Sequence, residues 1–311
     1  MNKNFTNVAR NKLIEEFNKY NIDISKKILI GVSGGPDSMW LLNLIKDFNI
    51  VVAHVNYNKR YDSHYDQKLV ESFCQENDIN LEVLSINHNN NLGNFQDEAR
   101  KERYQFYKKI YEQYQCSYLL LAHQKDDFLE TAIMQKQANR HPLYFGIKIQ
   151  NQLYNMQIFR PMINLWWKDE IKEFCQQNSI LFATDYTNDL PIYSRNKIRL
   201  SLKSHDKQSK ENLFHEYLDK NLKLTKIANQ VQIIYQNWEQ TGFCCDFLRN
   251  LDFSLNYLIY YLIHRKYKNI KLTTNKINLI NQFLLSENRS KVFKLNEKNY
   301  LIKKKNHLLF N

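Results

Sequence analysis

The sequence predicts a doubly wound α/β domain with a mainly parallel sheet, followed by a second, mainly helical domain that ends in a β-hairpin. Two observations predict the first domain. Its strand candidates are short and almost wholly apolar, as in strands buried on both faces of a sheet, and amphipathic helical patterns separate them. A third observation predicts the second domain, because beyond about residue 205 helical patterns follow one another. We therefore divide the chain into domains at 1–205 and 206–311.

The predicted elements alternate through the first domain. After an opening helix over 8–20, the strand candidates are KILIGV (27–32), NIVVAHVN (49–56), NLEVLSI (80–86) and SYLLLAH (117–123). Helical patterns lie between them. The stretch 142–162 predicts one or two further strands, and 168–180 predicts a helix. In the second domain, a polar linker at 204–212 precedes helical patterns at 212–240, 253–267 and 273–286 and a hairpin that turns at Asn296 to Asn299.

Composition narrows the class of protein. A chain of 311 residues that is 43% hydrophobic can bury a core. Its net charge of +12 favours an acidic partner, nucleic acid ahead of a membrane surface, although a biased codon composition would also enrich lysine and asparagine. Five cysteines without metal-ligand spacing indicate reduced thiols, and no stretch is apolar enough for a signal peptide or a membrane span. We expect a cytoplasmic protein without a membrane partner; its oligomeric state stays open, with a homodimer as one option.

A glycine-rich loop follows the first strand. The chain has 6 glycines, and three of them are Gly31, Gly34 and Gly35. The loop SGGPDS at 33–38 opens the first helix, where α/β sheets bind ligands. Gly34 and Gly35 can take positive φ and expose backbone N–H groups, which would hold an anion such as pyrophosphate. The alternative interpretation is that these residues form an ordinary strand-to-helix turn that binds no ligand. The loop has neither the Walker spacing nor its lysine.

This loop resembles the S-G-G-x-D-S signature of the PP-loop ATP pyrophosphatases, which have an adenine nucleotide alpha hydrolase-like fold. The resemblance implies an enzyme that activates a carbonyl or similar oxygen with AMP and releases pyrophosphate. It also implies Mg²⁺, with Asp37 as the candidate ligand. The ATP-binding residues that it implies are Ser33, Gly34, Gly35, Pro36, Asp37 and Ser38.

Three more stretches narrow the resemblance. They are HVNYNKR (54–60), AHQKDDFLETAI (122–133) and DYTNDLPIYSRNKIR (185–199). Together with the loop they are similar to the tRNA(Ile)-lysidine synthases. That family implies ATP-dependent ligation of free L-lysine to the wobble cytidine of the isoleucine tRNA with a CAU anticodon. An adenylated cytidine would be the intermediate, and the products would be lysidine, AMP and pyrophosphate.

The family resemblance implies four catalytic residues: Asp37, Asp127, Glu130 and Arg195. Asp127 and Glu130 would bind lysine, since two carboxylates three residues apart share one helix face. Without the family resemblance, the simpler interpretation is that these two acids stabilise a helix N-terminus. The carboxylates would capture lysine as a cation, and one would then accept a proton as the amine attacks. Arg195 would hold phosphates or the adenylated base. The alternative interpretation of Arg195 is a basic residue at a solvent-exposed helix start.

Contacts to tRNA are predicted beside Arg195, at Asn196, Lys197, Arg199 and Lys203. The basic runs at 264–268 and 303–305 are further candidates, and the pair Trp166-Trp167 either stacks on a base or packs in the core.

Two departures from the family pattern and several alternatives remain. Tyr57 and Gln124 stand where the family commonly has histidine, so the roles of Tyr57, His54 and His123 stay open. A tRNA cytidine thiolase of the same fold would be expected to carry C-x-x-C pairs, and the sequence has none. An amidotransferase or synthetase acting on a small molecule would leave the basic tail without a purpose. An inactive tRNA-binding protein is the alternative from a different class.

Overall fold

The computed structural model describes residues 3–58, 63–86, 95–138, 142–184, 194–267, 270 and 272–311. The motif residues 59–60 and 185–193 and the basic residue Lys268 lie outside this range. The chain divides into two compact units, one of residues 1–128 and 148–200 and one of 129–147 and 201–311. The predicted boundary at 205/206 stays a prediction. Among the described helices, none is both long and apolar enough to cross a membrane.

The first unit contains a six-stranded sheet. Its strands are β1 (Ile28–Gly31), β2 (Ile50–Asn56), β3 (Asn80–Ser85), β4 (Tyr118–Leu121), β5 (Gln150–Leu153) and β6 (Met156–Phe159). Their spatial order is β3-β2-β1-β4-β6-β5, and all neighbours are parallel except the antiparallel hairpin β5–β6. The predicted mainly parallel, doubly wound fold is confirmed. The order reverses between β1 and β4, so the loops after these two strands meet at the switch point where such sheets bind ligands.

Burial explains why the strands were recognisable, with one exception. All four residues of β1 and most of β2 are buried, so they read as continuous apolar runs. The prediction that NLEVLSI is buried on both faces was wrong. β3 lies at the sheet edge, with its ends exposed and its middle only partly buried.

Helices connect the strands of the first unit. They are α1 (Lys3–Lys19), α2 (Pro36–Ile45), α3 (Ser63–Glu76), α4 (Phe95–Gln113), α5 (Lys125–Gln137), α6 (Lys168–Gln177) and α7 (Ser194–Lys203), with a 3-10 turn at Pro161–Asn164. α5 and α7 each cross the division between the two units. Because α2 and α5 begin directly after β1 and β4, their N-terminal turns lie at the switch point. α6 packs against α2.

The second unit consists of helices and a small sheet. Its elements are α8 (Lys207–Gln240), α9 (Asp246–Arg249), α10 (Leu255–Lys266), α11 (Thr274–Leu285), β7 (Lys291–Lys294), β8 (Tyr300–Lys304) and β9 (His307–Phe310). The predicted hairpin β7–β8 is confirmed, but β9 adds a third antiparallel strand that was not predicted. The turn between β8 and β9 is Lys305-Asn306, both at positive φ. Most of the predicted linker at 204–212 is helical, because Asp206 caps α8 by accepting from Ser209 N at 2.8 Å.

Lys303 is a buried lysine in β8. Its side chain is 1% exposed, and its Nζ donates to the carbonyl oxygens of Phe283, Leu284 and Ser286 at 3.3, 3.1 and 2.8 Å. These carbonyls end α11, where a cation is favoured. Of the basic run 303–305, Lys303 is therefore unavailable to tRNA, whereas the next two lysines are exposed.

We expect Lys303→Met to lower the free energy of unfolding by about 1–3 kcal/mol, because the end of α11 loses its hydrogen-bond donor while the apolar stem is kept. Lys304→Met, one residue further on the exposed face, is the matched control and should change stability little. Urea unfolding followed by circular dichroism measures both. Equal stability of the two variants would show that the buried ammonium contributes nothing.

Candidate functional site

The loop after β1 holds its shape through its own side chains. Ser38 Oγ accepts from Ser33 N at 3.1 Å and donates to Gly35 O at 3.0 Å. Ala183 N donates to Gly34 O at 2.9 Å. Ser33 is exposed, whereas Ser38 is 4% exposed. The loop is therefore formed in the free protein, with Ser33 on its open side and Ser38 as its internal brace.

Each of the three clustered glycines is explained by a different feature of its surroundings. A Cβ on Gly31 would lie 2.6 Å from Tyr107 Oη, so this position is closed by packing of α4 on the sheet. Gly34 has φ +85° and lies against the Asp66 backbone. Gly35 does not use the positive φ that glycine permits: its φ is −74°, and among the described residues a Cβ there would meet only Ser33 Oγ at 3.5 Å, an ordinary contact. Neither strain nor packing requires glycine at 35, which favours close approach of a ligand as the reason.

This difference predicts opposite results for two alanine substitutions. Gly31→Ala should destabilise the fold by about 1–3 kcal/mol, because Tyr107 must move. Gly35→Ala should leave thermal unfolding of the free protein nearly unchanged but should weaken ATP binding by about tenfold or more, if a phosphate lies against the backbone. Thermal unfolding and calorimetric titration with an ATP analogue measure the two effects. ATP binding that is unchanged in Gly35→Ala would remove the ligand as the reason for this glycine.

Asp37 is a carboxylate in an unfavourable place for its charge. Its Oδ1 is shielded from solvent and has no hydrogen-bond partner among the described residues. Burial, and next the charge of Asp127, raise its pKa to about 7. The described residues contain no group of three or more acidic, histidine or cysteine side chains that could hold a metal by themselves. A single carboxylate in the loop after β1 fits Mg²⁺, which is often bound through one or two carboxylates plus substrate phosphates.

Asp127 has two tasks at the start of α5. Its Oδ2 accepts from Gln124 N at 3.2 Å, and the Gln124 side chain in turn accepts from Asp126 N, so the helix start is capped reciprocally. Its Oδ1 accepts from Arg195 Nη2 at 2.8 Å. The structure thus brings Asp127 and Arg195 together, and Asp127 also serves the helix N-terminus as its simpler interpretation predicted.

Glu130 differs from Asp127 in exposure. Both lie on α5 one turn apart, but Glu130 is 1% exposed, whereas the Asp127 side chain is 18% exposed and that of Arg195 39%. Burial strengthens the attraction between a carboxylate and a cation that reaches it. Within one turn, α5 therefore carries one deeply buried carboxylate and one that is already paired with a guanidinium.

His54 is a neutral histidine that supports the loop. It is 2% exposed, and its Nδ1 donates to Val32 O at 2.9 Å, just before the loop begins. Because a carbonyl oxygen can only accept, Nδ1 carries the proton. Burial lowers the pKa of this histidine, which favours its neutral form. Tyr57 donates through its hydroxyl to Ala99 O at 3.0 Å. Both contacts are structural, and neither indicates a metal ligand.

The charges of four arginines act on His123, the second residue after β4, and the sequence analysis had identified only Arg195 among them. Burial lowers the pKa of His123 well below its usual value, and the positive charges of Arg160, Arg103, Arg195 and Arg100 lower it further. The topology could have indicated two of them. α4 leads back from the carboxyl end of β3, so its first turns lie at the ligand-binding edge of the sheet.

The predicted tRNA contacts differ in accessibility. Lys197 and Lys203 are exposed and Arg199 is half-buried, but Asn196 is only 8% exposed. The two tryptophans, 166 and 167, are 4% and 3% exposed. Their interpretation as core residues is the one that the structure supports, and Lys125 Nζ lies 5.2 Å from the centre of the second indole ring.

Comparisons with known proteins show the family to which this chain belongs. A family model described as the PP-loop domain matches residues 6–205. The tRNA(Ile)-lysidine synthase of Mycoplasmopsis pulmonis is 42% identical over 278 residues, 89% of this chain and 96% of that protein. That of Mesomycoplasma hyopneumoniae is 39% identical over 288 residues, 91% of this chain and 95% of that protein. Among solved structures, the U34-tRNA thiolase NcsA from Methanococcus maripaludis has a TM-score of 0.55 at 15% identity, covering 70% of this chain and 78% of that one; this likeness shows the fold alone.

Proposed function

Because this chain belongs to the tRNA(Ile)-lysidine synthase family of PP-loop proteins, we propose that it joins free L-lysine to the wobble cytidine of an isoleucine tRNA with a CAU anticodon. It is a tRNA-modifying enzyme with an ATP-binding PP-loop domain. The proposed reaction adenylates the cytosine oxygen and releases pyrophosphate; the lysine ε-amine then displaces AMP. We place it in the cytoplasm with its three substrates. The observation that carries the proposal is the meeting of the loop, Asp37, Asp127 and Arg195 at one switch point.

The first half of the reaction needs the loop and Asp37. The N–H groups at the start of α2 and the open side of Gly35 support binding of the triphosphate. Asp37 would hold Mg²⁺, which would supply positive charge to the phosphate oxygens when bound. Ionised Asp37 is unfavourable for two reasons: its carboxylate is buried away from water, and it is repelled by the charge of Asp127. A cation bound at Asp37 Oδ1 would offset both costs.

The second half needs a cation site for lysine. Asp127 and Glu130 would attract the ammonium group, and one of them would accept a proton as the neutral amine attacks. In the free protein Asp127 is already paired with Arg195, so lysine has to share or displace that guanidinium. An Arg195 released in this way would become available to a phosphate or to the adenylated base.

The deciding experiment is incorporation of labelled lysine into a CAU-anticodon isoleucine tRNA transcript by the purified protein with ATP and Mg²⁺. We expect tRNA-bound label that depends on ATP and one AMP formed for each lysine incorporated. A transcript with another anticodon is the matched control and should remain unlabelled. A folded protein that incorporates no lysine would overturn the proposal. Incorporation of sulfur from a sulfur donor would instead favour the thiolase, which the absence of any C-x-x-C pair argues against.

A further inference from the structure

Helix α6 lies beside the loop at two fixed points. Near its end, Cys175 Sγ donates to Pro36 O at 3.6 Å, which places this side chain against the first residue of α2. At its start, Lys168 N donates to Asp126 Oδ2 at 2.8 Å, which ties it to the first turn of α5. The helix therefore runs from the start of α5 to the start of α2, along the edge where the PP-loop and Asp127 lie.

Two lysines occupy the face of α6 that makes these contacts. Lys168, Lys172 and Cys175 are spaced four and three residues apart, so their side chains share one face of the helix. Both lysines are half-buried. Within the part of the chain that the structure describes, neither forms an ion pair with a carboxylate. Lys172 lies one turn before Cys175 on this face, and the contact of Cys175 with Pro36, the residue before Asp37, places the face beside the loop.

The substrate requires such cations. The β- and γ-phosphates of ATP carry several negative charges, and the loop lacks the lysine that a Walker motif would supply. We propose that Lys168 and Lys172 bind the β- and γ-phosphates of ATP and the pyrophosphate that leaves. This inference rests on the proposed use of ATP at the loop and adds the two residues that neutralise the leaving group. The opposing interpretation is that the lysines only balance the charge of Asp37.

Nucleotide binding separates the two interpretations. For Lys172→Met and Lys168→Met we expect α,β-methylene-ATP and inorganic pyrophosphate to bind about 10- to 100-fold more weakly, the loss typical of one charged hydrogen bond. AMP, which lacks the β- and γ-phosphates, should bind within about twofold of the parent protein. Lys172→Arg should retain pyrophosphate binding. Lys109→Met, at an exposed position on α4, is the matched control. Calorimetric titration with Mg²⁺ present measures each pair.

The outcomes decide the proposal. Equal weakening of AMP and the triphosphate analogue would show a displaced loop and would overturn it, as would unchanged binding of pyrophosphate. Thermal unfolding of each variant identifies any general loss of structure. The titrations contain neither tRNA nor lysine, so failure of lysine incorporation would count against the proposed function without touching this inference.

Discussion

Asp37→Asn should lower lysine incorporation by about 1,000-fold or more while leaving the free protein at least as stable as the parent. The loss is expected because an amide neither carries the charge that a bound cation requires nor attracts Mg²⁺ comparably. The stability follows from burial, since the folded protein favours the neutral form of this side chain and asparagine is neutral at every pH.

The effect on stability should depend on pH in a defined direction. The pKa of Asp37 is raised from 3.8 to about 7, so between these values the folded protein binds more protons than the unfolded chain. Stability contributed by this group therefore falls as the pH rises through that window. Asp37→Asn should be more stable than the parent at pH 8, and the difference should vanish near pH 4. Thermal unfolding at the two pH values measures it.

Asp47→Asn provides the control, because Asp47 is exposed and pairs only with Arg10 among the described residues. It should keep full activity and show a smaller change in stability with pH. If Asp37→Asn incorporated lysine at a rate near that of the parent, the loop would not be the nucleotide site. If Asp37→Asn were less stable than the parent at pH 8, the folded protein would stabilise the ionised form of Asp37, and the assignment of a raised pKa would be wrong.

Patterns that depend on neighbours in sequence were readable without the structure. The buried strands, the loop after β1 and the helix start that carries Asp127 all follow from local runs of residue types. The reason for Gly31 was not readable, since it is the Tyr107 hydroxyl from a distant helix. Sequence alone could not separate Gly34, which takes positive φ, from Gly35, which does not, because glycine serves both a strained turn and close approach of a ligand.

Charge was the least predictable property. Lys303 belongs to a basic run that suggests a phosphate surface, yet strand alternation turns this one lysine into the core. Lys168 and Lys172 lie in a helix whose sequence is typical of an ordinary amphipathic surface helix, and only the packing of α6 beside α2 places this helix next to the loop. Sequence shows how many cations a chain has, whereas tertiary structure decides which of them reach a ligand.

The lysine-binding assignment predicts a variant that starts the reaction and cannot finish it. Asp127→Asn and Glu130→Gln should each lower lysine transfer by about 100-fold or more, because the ammonium loses a charged partner and a proton acceptor. Formation of adenylated tRNA should continue, because both variants keep the residues of the loop, including Asp37. Labelled α-phosphate from ATP retained on tRNA measures the first step, and labelled lysine the second. Asp169→Asn, an exposed acid on α6, should affect neither step. Equal loss of both steps would place these carboxylates with ATP instead of lysine.

The ion pair between Asp127 and Arg195 should affect how lysine binds. If lysine competes with the guanidinium for Asp127 Oδ1, Arg195→Met should lower the KM for lysine while it also lowers kcat, because the carboxylate is released but the phosphate contact is lost. The double variant Asp127→Asn with Arg195→Met should then cost less than the two single changes added together, by about 1 kcal/mol for a partly exposed pair. Strict additivity would mean that the pair is incidental. A higher KM in Arg195→Met would mean that Arg195 binds the carboxylate of lysine, so that the contact with Asp127 positions the arginine instead of competing with the substrate.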